Sequence, residues 1–257
     1  MFEKFFLHLE SFEAKGIFHK SQFLWSPLTK IELFLEEKIS KNKINSAFPD
    51  GMELQTLQGN KEDPSLHLIF ITKYLKLKEP FISQNLKIYI EKGVILEPTA
   101  ILKPYVYIGK ESEIRQGAYF RGNVIVGNQS VIGHATEVKN SIMMDHSEAG
   151  HFAYIGDSII GSYVNVGAGV KLANLQFRSE KEKTEGFIRE IKIRVNKKII
   201  KTQREKLGAI IGDFVEIGCN AVTCPGTLLE KNIQIFPNMN IPKGLYKENS
   251  PLSPTKN

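Results

Sequence analysis

Along most of the chain an apolar position returns every six residues. It falls at Ile95 and Ile101, then after one extra residue at Ile108, Ile114, Phe120, Val126, Ile132 and Val138. The beat slips around Ile142, resumes at Ile155 and Ile160, and continues through Val166 and Leu172. It then returns without error at Ile211, Ile217, Thr223, Leu229, Ile235 and Ile241. Glycine follows the apolar position in "IGKES", "VGNQS", "IGHAT", "IGDSI" and "IGDFV", and small residues fill the later places, as a tight backbone corner requires. Neither helical nor simple strand periodicity gives such a beat. Short strands with a turn every six residues do. Three strands per coil make a triangular β-solenoid of roughly six coils, with the apolar residue of each hexad pointing inward.

The flanks of the repeat read differently. Residues 1–92 form a small N-terminal α/β unit. There "SPLTKIELFLEEKISKN" has helical spacing, with Ser26 as cap and Pro27 at the first helical position. "SLHLIFITKYLKL" reads as a short strand, for which a hairpin partner is one option. Residues 93–244 hold the solenoid and 245–257 a tail. The repeat is interrupted over 176–207, which must leave the prism as a loop. Within it "IKIRVNKKIIKT" alternates apolar and basic residues around Asn196 and Lys197, a β-hairpin pattern.

Composition narrows the classes. With 42% hydrophobic and 24% charged residues in a chain of 257, the balance is that of a globular chain able to bury a sizeable core. No apolar run reaches the length of a membrane span. The opening "MFEKFFLHLESFEAKG" mixes acids into its apolar stretch and lacks a small-residue cleavage site, so the expected location is cytoplasmic with no membrane partner. Cys219 and Cys224 are too few for a disulfide scaffold and lack CxxC spacing, and both read as packing residues. The net charge of +6 lies wholly in residues 178–206, which hold 11 Lys or Arg against 5 Asp or Glu. A localised basic segment fits a phosphate-bearing small ligand at least as well as a polynucleotide, and no nucleic-acid partner is expected.

Four blocks, "HATEVKNS" (134–141), "HFAYIGDS" (151–158), "GAGVKLANL" (167–175) and "KLGAIIGD" (206–213), make residues 95–242 resemble the hexapeptide-repeat acyltransferases. The likeness is strongest to the acetyltransferase half of the bifunctional N-acetylglucosamine-1-phosphate uridylyltransferase/glucosamine-1-phosphate acetyltransferase family and its sugar-phosphate nucleotidyltransferase-like relatives. The resemblance implies a mainly β fold, a left-handed parallel β-helix. It also implies a homotrimer with sites shared between subunits, acetyl-CoA as co-substrate, and a phosphorylated amino-sugar as acceptor, most simply glucosamine 1-phosphate. The Gly-rich, Arg-containing loop that opens nucleotidyltransferase domains is missing, so nucleotidyl transfer is not expected.

The family pattern assigns roles residue by residue. His151 corresponds to the general base that takes a proton from the sugar amine, a task suited to a group titrating near neutrality. The 13 steps from Ile142 to Ile155, one more than two hexads, predict that the backbone near His151 leaves the regular coil and turns the imidazole outward. Arg121 and Lys139 are 18 residues apart, one full coil, and should stack as a phosphate clamp. Tyr154 corresponds to a phosphate-contacting tyrosine. Asn165 and Asn174 match asparagines that hold the sugar and orient the amine or carbonyl, which makes Asn174 a second catalytic candidate. Ala168 and Cys219 fall on the track of the CoA pantetheine arm, although Cys219 stands where a small polar residue is usual. In the family the counterpart of the basic loop reaches toward a neighbouring subunit.

Two other readings compete. A γ-class carbonic anhydrase, in which three histidines bind zinc across a subunit interface, would use His146 and His151 as ligands, but its third ligand position is Lys110, which cannot replace a neutral imidazole; no metal is expected. A noncatalytic repeat scaffold is the other.

Overall fold

The computed structural model describes residues 2–42, 47–57, 66–195, 197–250 and 252. Three sheets wrap into a prism. Face A stacks Ile101–Leu102, Tyr119–Phe120, Glu137–Lys139, Tyr154–Gly156, Lys171–Leu172, Val222–Thr223 and Asn240–Ile241 in parallel. Face B runs in the same way from Ile95–Leu96 through Glu148–His151 to Gln234–Ile235, and face C from Ile88–Ile90 through Ser141–Met143 to Gly244–Tyr246. The mainly β solenoid is as the sequence implies. It begins earlier than expected, because Ile88–Ile90 already pairs in parallel with Val106–Ile108.

The inward column corrects the register read from the sequence. Ile90, Leu96, Leu102, Ile108, Ile114, Phe120, Val126, Ile132 and Val138 are all essentially inaccessible and succeed one another at six residues without a break. Leu96 and Leu102, not Ile95 and Ile101, point inside, since the latter are only half-buried. The extra residue before Ile108 does not exist. The inward residue after Val138 is Met143, followed by Ala149 and Ile155 at regular spacing. Ile142 faces outward on face C. The coil around His151 is therefore regular, contrary to the expected departure there. The five-residue steps are Val138 to Met143 and Ile155 to Ile160, both at the corner between faces A and C.

Face C is buried on both sides. Its strands are short apolar runs such as "VYI", "VIV" and "AII", and every residue in them is buried. The outer side is covered by residues 2–42. Phe5, Phe6, Phe12, Phe18, Trp25, Ile31 and Leu35 form one cluster with the outward Tyr89, Tyr107, Ile125, Ile142, Ile159, Ile210 and Leu228. Residues 2–42 thus share a core with the solenoid. The helix Ile31–Ser40 forms as its spacing predicts, but Ser26 does not cap it. Ser26 opens a separate 3₁₀ turn, Ser26–Thr29, with Pro27 near its start, and its hydroxyl accepts the Phe23 N–H at 3.0 Å. The strand His67–Ile71 finds its hairpin partner in Met52–Thr56 and pairs antiparallel with Ile101–Leu102 on its other edge, which closes the first coil of face A.

The excursion at 176–207 also folds onto its own chain. A short helix, Glu180–Thr184, starts in a capping box in which Ser179 and Glu182 satisfy each other's backbone N–H groups. The expected hairpin pairs Lys192–Val195 with Lys198–Lys201, and Lys197 sits at its turn with φ +66°. Ile191 and Ile193 are buried in the face C cluster, and the Trp25 indole N–H donates to the Thr202 carbonyl at 2.9 Å. No helix among the described residues is long and apolar enough to cross a membrane.

Candidate functional site

Strand register decides which candidates meet. Glu148 pairs with Asn165 and Asn165 with Glu216 on face B. Three residues further along each strand, His151, Ala168 and Cys219 fall in one column down the corner between faces B and A. His134 pairs with His151 one coil earlier and extends that column. The His151 side chain is exposed and Ala168 half-buried. Cys219 is exposed and Cys224 half-buried, both free, so neither is the packing residue expected. Beside the column a shallow groove of about 330 Å³ runs along face B, lined among others by Asn165, Gly167, Gly218, Cys219 and Pro237.

The other edge of face A gathers a second set. The Arg121 N–H donates to the Val138 carbonyl at 2.8 Å, which places Arg121 and Lys139 on successive coils as their spacing predicted. Arg121 is not free, because its guanidinium meets the Glu137 carboxylate at 2.7 Å and this contact raises its pKa further. Lys139 forms no ion pair among the described residues. One coil on, the Tyr154 ring lies over Gly156, where an added Cβ would stand 2.6 Å from the tyrosine oxygen and 2.8 Å from the Asn174 amide nitrogen. Burial raises the Tyr154 pKa, with the Glu137 and Asp157 carboxylates acting in the same direction.

Asp157, which the sequence reading passed over, organises this edge. It is 4% exposed and its carboxylate is surrounded by donors. One oxygen accepts the Asn140 amide at 2.6 Å and lies 3.5 Å from Arg204 of the excursion, while the other accepts the Asn174 amide at 2.6 Å. The shortened corners make this possible. Where the preceding coil spends Gly122 and Asn123 at positive φ on the turn, the next two use a single left-handed residue, Asn140 (φ +45°) and Asp157 (φ +48°). Asn and Asp tolerate that region better than most residues. The excursion leaves the solenoid at the same corner one coil later, so the period is broken there three times running. The five-residue steps between inward residues are the sequence signal that marks Asp157, which stands inside "HFAYIGDS".

Asn165 does not join the other sugar-side candidates within one chain. It projects from face B and donates to Glu216 at 3.1 Å. Within one chain, His146 and His151 also stand apart. His146 lies at the corner between faces C and B, stacked on Tyr163 at 4.6 Å, whereas His151 lies at the next corner of the same coil. Among the described residues no three His, Cys, Asp or Glu side chains form a group that could hold a metal.

Residues 102–241 match the GMPPB C-terminal domain, a stretch that covers more than half of the chain and all eight candidate positions. The chain belongs to the GMPPB C-terminal domain family. Individual relatives of this family member fall into two groups. A bifunctional sugar-1-phosphate nucleotidylyltransferase/acetyltransferase of Sulfurisphaera tokodaii is 37% identical over 166 residues, 60% of this chain and 39% of that protein. The bifunctional protein GlmU of Methanococcus vannielii is 29% identical over 247 residues, 91% of this chain and 57% of that one. The chain spans about half the length of these bifunctional relatives. An uncharacterized acetyltransferase, YaiX, of Escherichia coli O6:K15:H31 is 28% identical over 195 residues, 64% of this chain and 81% of that protein. Among solved structures, the acetyltransferase domain of PglB from Neisseria gonorrhoeae, in complex with acetyl coenzyme A, matches at TM-score 0.29 and 13% identity over 61% of this chain and 52% of that one.

Proposed function

We propose that this GMPPB C-terminal domain protein transfers an acetyl group from acetyl-CoA to the amine of a phosphorylated amino-sugar such as glucosamine 1-phosphate. The observation that carries the reading is the arrangement of face A. One edge presents His151 beside the face B groove, and the other presents Arg121, Lys139, Tyr154 and a fixed Asn174. The name of the Sulfurisphaera tokodaii relative, which pairs acetyltransferase with sugar 1-phosphate chemistry, supports the same class.

The chemistry follows from what each side chain can do. Asn174 gives its amide N–H to Asp157, so its carbonyl oxygen remains as the acceptor that orients a substrate N–H. His151 takes the proton as the amine nitrogen bonds to the thioester carbonyl carbon; the carbon–sulfur bond then breaks and the thiolate leaves. Arg121 and Lys139 supply charge-assisted bonds to the sugar phosphate, with Glu137 as the group the phosphate must displace. Gly167 and Gly218 expose backbone in the face B groove beside Ile217, Ile235 and Phe236, a lining that suits a pantetheine arm. Its lining carries Glu216 but no cation, so anionic parts of the donor are held elsewhere.

A face of a single prism is open to water on one side. We therefore assign the second wall to another copy in a homotrimer, which cyclic symmetry allows; such packing would also bring a neighbour's Asn165 within reach of a sugar site.

The test is release of free CoA thiol from acetyl-CoA with a panel of phosphorylated amino-sugars, for the native chain and for His151→Ala. Turnover with at least one amino-sugar phosphate is expected, and the variant should lose about 10²- to 10⁴-fold while keeping its assembly state. No thiol release with any member of the panel, or near-native turnover in the variant, would overturn the reading.

A further inference from the structure

Part of the excursion's excess charge gathers at one place. A hollow of about 440 Å³ is lined by Gln176, Arg189, Glu190, Lys192, Lys201 and Lys243. It lies outside the sets described above, between the hairpin and the last coil. Register locates it along the fold. Lys171 pairs with Val222 and Val222 with Asn240, so Lys243 follows its strand as Asn174 does, two coils further on. At a strand spacing of about 4.8 Å that is roughly 10 Å beyond Asn174 along the same edge. The Arg121–Lys139 clamp lies in the opposite direction.

The charges in this hollow are not balanced within the chain. Arg189 is answered by Glu182 and also donates to the Phe177 carbonyl. Glu190 is partly occupied, since its carboxylate accepts the Gln203 N–H. Lys192, Lys201 and Lys243 form no ion pair among the described residues. With Glu190 set against one of them, two positive charges remain in excess. Lys192 and Lys201 are moreover direct cross-strand partners in the hairpin. Like charges directly opposite each other destabilise a strand pair. A glutamate at either position would replace that repulsion with an attraction. The hairpin therefore keeps a costly arrangement, and the folded chain adds a third lysine to it from a separate element.

We propose that this hollow is a binding site for a diphosphate group, of the kind carried by a nucleotide. Lysines act on phosphate as flexible point charges, and several of them converging on one concavity favour an anion of multiple charge. The volume is in the range of small-molecule sites. A diphosphate can come from a nucleotide-sugar or from the nucleotide end of an acyl carrier, and both present the same chemistry here. The site is assigned from charge and geometry alone and does not depend on acyl transfer.

The experiment is calorimetric titration with pyrophosphate, ADP, UDP and adenosine, in an Arg121→Ala/Lys139→Ala background so that the phosphate clamp cannot take the probe. Pyrophosphate and at least one nucleoside diphosphate should bind, adenosine should not, and affinity should fall as salt rises. Preference for ADP points to the acyl carrier and preference for UDP to a nucleotide-sugar, and either supports the site. Adding Lys201→Glu should weaken pyrophosphate by at least about tenfold while raising the melting temperature, because it pairs with Lys192. Loss of binding together with gain of stability distinguishes a ligand site from a merely misfolded hairpin. Undiminished pyrophosphate affinity in the Lys201→Glu chain, equal binding of adenosine and ADP, or no binding of pyrophosphate to the background chain overturns the proposal. So does tighter binding of a single-stranded oligonucleotide that pyrophosphate cannot displace.

Discussion

Faces A and C grow from the same hexads, yet their outward residues have opposite fates. On face C, Tyr107, Ile125, Ile142 and Ile210 are sealed under residues 2–42 and the excursion. On face A the corresponding outward column, Tyr119, Glu137, Tyr154 and Lys171, stays half-buried or exposed. Inward residues are alike on both. A strand that is covered twice can only contribute stability, whereas one covered once keeps a row of side chains available for chemistry. The repeat sets the frame, and the choice of outward residue assigns each face its task.

The sharpest way to break that contrast is to truncate equivalent outward residues. Ile125→Ala on face C should cost about 2–5 kcal/mol, the range of a fully buried aliphatic core deletion, while Tyr119→Ala on face A should cost less than about 1.5 kcal/mol. Urea unfolding of the two variants measures the difference, and equal losses would mean that the covering of face C contributes little. Next in size, Arg121→Ala and Lys139→Ala should each raise the Michaelis constant for an amino-sugar phosphate by about 10- to 100-fold. The unphosphorylated sugar should be affected much less, because only charge-assisted bonds to phosphate are lost. A uniform effect on both substrates would remove the clamp from the scheme.

Asp157→Asn is predicted to lower turnover by roughly tenfold at an unchanged Michaelis constant for acetyl-CoA, since an amide at 157 no longer fixes which end of Asn174 faces out. The exchange Asp157→Asn/Asn174→Asp restores one donor–acceptor pair and should recover part of the loss. Failure of the double variant to recover, with the fold intact, would demote Asp157 to a structural role. Smallest is an acid effect on the excursion. Backbone donors at Ser179 and Arg189 hold the Glu182 carboxyl down to about 2 from an ordinary value of 4.5. Its contribution is therefore complete above about pH 4.5 and is lost as the pH falls toward 2. Amide protection across Glu180–Thr184, taken relative to free-peptide exchange at the same pH, should fall over that window in the native chain and show no such fall in Glu182→Gln.

The sequence made the architecture legible because every coil is its own neighbour's template. The inward residue of one hexad touches the inward residue of the next, so a local rule repeated suffices. The same property explains the miscount at Ile142. Where an outward position is also apolar, as at Ile95, Ile101 and Ile142, composition cannot tell the two sides of a strand apart. Three-residue runs such as "AII" carried the signal that face C is covered twice, since strands buried on both faces lose their alternation. His151, Ala168 and Cys219 were legible as one track because they follow the repeat. Asp157 was not, since its role depends on partners 17 and 47 residues away, Asn140, Asn174 and Arg204, brought together only by the shortened corner.

The cover on face C has a consequence during synthesis. Phe5, Phe6 and Phe12 are synthesised well before the rest of the surface they pack on, which is completed only when Ile210 and Leu228 have been added. His8, held by Asp213, bridges 205 residues of sequence. At roughly 5–20 residues per second, the segment around His8 waits about 10–40 s with its packing surface incomplete, its aromatic rings meeting one another before the last coils arrive. For that interval the nascent chain offers chaperones, and other nascent chains, the same apolar side chains that later lock the finished prism.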